Sequence, residues 1–163
     1  MKNRTFRFRL ALTTALVMML AANFAFAQGK SDKKAEKQEM KQLNKEANKT
    51  GAKAEETADQ LGRNVVFCIL AAHTTGVGTA AELKAKFESL TDFPFGQFVG
   101  AVLLADRIDM PLQTILDKMT TDGMSIGQIT REANENMGEV KSHFGQFRSE
   151  LARSETNPPT TCF

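Results

Sequence analysis

Apolar positions along the chain change character twice. Leu10 to Ala22 is an apolar run broken only by Thr13 and Thr14, whereas Lys30 to Glu56 offers Met40 and Leu43 as its sizeable apolar groups. From Leu61 onward apolar residues return at helical spacing. Val65 to Ala72, VVFCILAA, is apolar around its whole circumference, and its length alone does not separate a buried strand from a central helix. Helix is the reading adopted, because every later segment has helical spacing and no second strand candidate exists to pair with it.

The later segments each carry their own start signal. Thr79 with Glu82 three positions on predicts a capping box, ahead of a face made by Leu83, Phe87 and Leu90. Pro94 suits a first helical turn, and Phe95, Phe98, Val99, Val102 and Leu103 form the stripe behind it. Asp109 and Pro111 are expected to open a helix bearing Leu112, Ile115, Leu116 and Met119, with Gly123 closing it. Ser125 and Gln128 predict a second capping box, and Val140, Phe144, Phe147 and Leu151 mark a last helix. The fold class predicted is all-α: a small bundle of about six short helices over residues 61–152, with a tail at 153–163.

The two regions ahead of the bundle read differently. Lys2, Arg4, Arg7 and Arg9, the apolar run, and Ala25-Phe26-Ala27 give 1–27 the pattern of a signal peptide cleaved after Ala27, which predicts a periplasmic or secreted protein. Residues 28–60 are expected to be a charged tether, flexible or fraying in and out of helix, since so few apolar groups do not offset the entropy of ordering. Its eight Lys and six acids over Lys30 to Glu56 leave at most a peripheral, salt-sensitive membrane contact.

Charge then bears on partners. The whole chain carries 21 Lys+Arg against 19 Asp+Glu, but four of the basic residues and none of the acidic ones fall in the first 27 positions. The chain beyond the signal segment is slightly acidic, which removes the electrostatic support for a polyanion ligand.

A short phrase recurs in the bundle: FGQF at Phe95 to Phe98, IGQI at Ile126 to Ile129, and FGQF at Phe144 to Phe147. Glycine inside a helix costs about 0.5–1 kcal/mol relative to alanine, so each placement asks for a compensating close approach. Gly138, Ser142, Gly145 and Ser149 line one face of the last helix and are expected to admit another helix, from the core or from a partner.

Catalytic chemistry is sparse. His73 ends an apolar helix, where the dipole favours it, and His143 lies in the last helix; neither has metal-site spacing with the cysteines. The Thr74 to Thr79 turn lacks the Lys-Ser/Thr ending of a phosphate loop. No cofactor, metal site or catalytic set is read from the chain. Cys68 and Cys162 are an even pair in an exported chain, and two alternatives stay open: a disulfide pinning the tail to the first bundle helix, or a buried filler and a free terminal thiol.

Two resemblances are carried by particular stretches. DFPFGQFVGAVLLADRI resembles a segment of small exported bacterial proteins of unknown function with an FGQFV element, and supplies no activity. GMSIGQITREANENMGEVKSHF, 123–144, resembles the paired helices of LuxR-type and extracytoplasmic sigma-type helix-turn-helix domains, with Gly123, Ser125, Ile129, Val140, Lys141, Ser142 and His143 standing where that pattern has them. The resemblance implies a second helix in the major groove, with Lys141, His143 and Arg148 as nucleic-acid contacts. The chain departs from the pattern at Thr130, Ala133 and Glu135, and Glu135 must face solvent rather than plug the turn. The reading preferred is an exported, non-enzymatic helical interaction module for a protein partner or for itself. The alternative is a helix-turn-helix nucleic-acid-binding regulator whose signal segment is not used.

Overall fold

The computed structural model describes residues 4–159, with side chains from residue 33 onward. Met1–Gln38 and Glu39–Phe163 form two compact units. Helix α1 (Arg4–Leu61) supplies the described part of the first unit and, from Glu39, the opening of the second. Side chains of the signal-peptide segment 1–27 lie outside the described residues. Among the described residues no helix is long and apolar enough to cross a membrane.

The second unit continues through α2 (Arg63–His73), α3 (Ala80–Glu88), α4 (Phe95–Ile108), α5 (Leu112–Thr120), α6 (Ile126–Glu132) and α7 (Met137–Ser154), and no strand occurs among the described residues. The all-α reading holds, and VVFCILAA is the helix α2. The centre of the bundle, however, is α4: its residues Phe98 to Ala105 are all buried, because it is apolar on every face and must be surrounded. Phe67, Phe87, Phe95 and Phe98 from α2, α3 and α4 meet edge-on or tilted at 5.2–6.2 Å, with the Arg63 guanidinium over Phe87 and Phe95.

Helix ends follow the sequence closely. Both capping boxes form, Thr79 with Glu82 and Ser125 with Gln128. Asp109 is an exception: expected to open α5, it closes α4 in the left-handed region at φ 50°, where Met110 N–H reaches Ala105 O. Pro111 then caps α5.

The folded unit starts earlier than expected, at Glu39 rather than Leu61. The tether's second half is an ordered helix whose Leu43, Ala47, Thr50, Gly51, Ala54 and Thr57 are buried along one stripe. Large apolar groups are few there because small ones do the packing. A Cβ on Gly51 would lie 2.8 Å from Gly96 O and one on Gly96 would lie 2.8 Å from Gly51 O, so α1 and α4 cross backbone to backbone. Thr50, fully buried, donates its hydroxyl to Phe144 O at 3.2 Å and fixes α1 to α7.

Candidate functional site

Helix α1 also reaches the N-terminal ends of α4, which lacks a side-chain cap, and α6, which has its own capping box. Pro94 offers no side-chain acceptor at the start of α4, and Glu55 supplies one by accepting from Gly96 N at 3.0 Å. Asn44 Oδ1 likewise accepts from Gly127 N at 2.8 Å, while its amide donates to Ser125 Oγ at 3.2 Å. Between these two ties the surface opens into a cavity of about 630 Å³, walled by α1, the N-terminal half of α4 and the α5–α6 loop. Asn48 and Gln97 present amides to it, and Met119 and Met124 give it an adaptable apolar side.

A second, shallower groove of about 620 Å³ runs along α7 and contains the whole small-residue face read from the sequence: Gly138, Ser142, Gly145 and Ser149. Gly138, Ser142 and Ser149 are exposed, and a Cβ on Gly145 would meet nothing within 4 Å. Helix α7 turns its other side inward through Val140, Phe144, Phe147 and Leu151. The recurrent glycine phrase therefore has two meanings. Gly96 and Gly127 are contacts for α1, the latter with Met40 O 3.0 Å from its Cβ position, whereas Gly145 faces open space.

The residues implied as nucleic-acid contacts are not brought together as a basic surface. Lys141 is exposed, but Arg148 is paired with Glu46 of α1. His143 points into the bundle with its side chain 13% exposed, and its Nε2 lies 3.2 Å from Asp106 Oδ2. The turn between α6 and α7 has Asn134 at φ 56° and Glu135 exposed, and Asn136 caps α7 by accepting from Gly138 N and Glu139 N. Thr130 is fully buried, its hydroxyl donating to Ile126 O.

One association has no signature in the sequence. His73, at the end of α2, and His143, in α7, pack against each other with ring centroids 4.7 Å apart and planes inclined by 35°. His73 Nδ1 is 2.9 Å from Glu150 Oε2, and Phe147 lies edge-on to the same ring. Asp106, beside His143, also accepts from Thr75 N at 2.6 Å. The Nε2 atoms of both rings are buried without a hydrogen-bond partner; the 3.2 Å approach of His143 to Asp106 is an ion-pair distance that lacks hydrogen-bond alignment. Burial, and after it the neighbouring His73, hold His143 below the usual histidine range, although Asp106 and Glu150 pull the other way. Among the described residues no three His, Cys, Asp or Glu side chains are grouped so as to hold a metal ion.

Cys68 is half-buried on α2, at the edge of a third depression shared with the 74–79 loop. Cys162 lies outside the described residues. Neither protein-family models, nor curated proteins, nor solved structures give a match to this chain.

Proposed function

We propose that this chain is an exported helical interaction module that binds a protein partner, or a second copy of itself, through the small-residue face of α7. The observation that carries the reading is the state of that face: Gly138, Ser142, Gly145 and Ser149 line an open groove that no other described residue fills. Small residues let an incoming helix approach closely and bring its backbone into van der Waals contact. Of the charged residues around it, Arg148 is paired with Glu46, and exposed Lys141 leaves a single positive charge at the rim. The Lys/Arg start and apolar run of 1–27 support export with cleavage after Ala27. A Cys68–Cys162 disulfide belongs to the same reading, because it would tie down the tail in an oxidising compartment and contribute about 4–5 kcal/mol by loop closure.

The test has two arms. Intact mass of the protein from its own host should show a chain beginning at Gln28, lighter by two hydrogens before reduction than after it. Gly145→Leu, placed where there is room for the side chain, should abolish association measured by sedimentation and by cross-linking from position 149, while leaving the unfolding transition in place. A chain retaining Met1 and bound to duplex DNA in the cytosol would overturn the reading in favour of a regulator. Unchanged association in Gly145→Leu would remove the α7 face from it.

A further inference from the structure

Both histidines of the chain meet at one place, and that place joins three helices and a loop. His73 ends α2, His143 sits on α7, and their rings pack with centroids 4.7 Å apart and planes inclined by 35°, the side chains only 8% and 13% exposed. Charged groups surround them from each packed element. Glu150 of α7 contacts His73, and Asp106 of α4 contacts His143. Arg107 of α4 also bears on His143 and is itself paired with Glu139 of α7. Asp106 has a second task, accepting from the backbone N–H and the hydroxyl of Thr75 at 2.6 and 3.4 Å. The same carboxylate therefore answers a histidine and pins the loop that succeeds α2.

Proton uptake by such a pair is uneven. Protonating both rings sets like charges 4.7 Å apart in a site with little water, and gives His73 a second N–H at its buried Nε2, which has no acceptor. Either cost is relieved if the rings part, which requires the end of α2 to leave α7. The loop beyond it bends at Gly76 and Gly78, with φ of 89° and 154°, and the Thr75 N–H bond to Asp106 is what ties it to α4 and would have to break on release.

We propose that the His73–His143 pair is a pH-sensitive latch, holding the end of α2 and the 74–79 loop against α4 and α7 while at most one ring is charged and releasing them when both are. Release moves Thr74, Gly76 and Thr79, which with Cys68 and Ala72 wall an already open depression of about 650 Å³, so the shape of that depression changes on acidification. The latch is separate from the α7 groove and stands whether or not that face binds a partner.

Ring-proton NMR of the full chain between about pH 5 and 8, with amide exchange read at Thr75 to Thr79, tests it. The two rings should titrate in coupled rather than independent steps. Exchange in the loop, corrected for its intrinsic pH dependence, should accelerate about tenfold with the second step. In His143→Gln and His73→Gln the remaining ring should titrate in a single step and loop exchange should lose its pH dependence. Should a variant fail to fold, the wild-type titration decides alone. Two independent steps, or coupled steps with unchanged loop protection, would overturn the latch.

Discussion

Replacing Gly96 by alanine pits two effects of known sign against each other. Alanine in a helix interior is favoured over glycine by about 0.5–1 kcal/mol. The added methyl, however, would sit 2.8 Å from Gly51 O, 2.9 Å from Gly51 C and 2.9 Å from Gly51 Cα, where ordinary contact begins at 3.4 Å. All three obstacles are backbone, so no side chain can swing aside and α1 must move bodily off α4. Overpacking of this kind costs about 1–3 kcal/mol, and the stiffness of the obstacle places Gly96→Ala toward the upper part of that range. The net expectation is a loss of about 1–2 kcal/mol, read as a fall of about 4–8 °C in the thermal midpoint or a lower urea midpoint at unchanged slope. Gly145→Ala is the control within the same FGQF phrase: nothing lies within 4 Å of its Cβ, so the helix preference acts alone and should stabilise by about 0.5–1 kcal/mol. Gly127→Ala, at 3.0 Å from Met40 O, should fall between them. Circular dichroism across urea for the three variants decides the matter. A neutral or stabilising Gly96→Ala would refute the backbone contact between α1 and α4.

The same contacts carry other expectations. Leu43→Ala, at a fully buried site on α1, should cost about 2–5 kcal/mol, and a chain begun at Leu61 should lose its cooperative urea transition. Thr79→Ala removes a capping box whose backbone and hydroxyl bonds hold the Glu82 carboxyl below its usual range; helix stability should drop by about 1 kcal/mol, and Glu82 should return upward in a carboxyl NMR titration. Because the folded state lowers His143 below its unfolded value, the unfolded chain binds more protons over that window. Stability should accordingly be complete above about pH 6.5, fall as pH drops toward the folded value, and flatten for this group below it. Urea midpoints at several pH values should show that step, and His143→Gln should erase it. The lowered carboxyls of Glu82 and Glu155 should leave a separate loss at more acid pH, which persists in the variant.

Local rules carried most of the secondary structure. Capping chemistry at Thr79 and Ser125, and helical spacing at Phe95 to Leu103 and at Val140 to Leu151, needed only neighbours within a turn or two. Asp109 escaped because a residue flanking a proline helix start also suits the left-handed end of the helix before it, and only the chain path chooses. The packing of residues 39–57 is not legible in the sequence for a different reason. Counting large apolar groups finds Met40 and Leu43 alone, whereas the buried stripe of α1 is mostly alanine, threonine and glycine, whose value depends on having another backbone to lie against.

The sequence by itself therefore determined the class of the fold, the order of its short helices, the signal-like pattern of residues 1–27 and the small-residue face of α7, all properties of spacing along one segment. Tertiary structure decided which of three similar glycines is a contact and which is open, that Glu55 and Asn44 cap helices far from them in sequence, and that His73 and His143 share one buried site. Those outcomes depend on distances between segments, and a linear pattern carries no information about distance until the helices have packed.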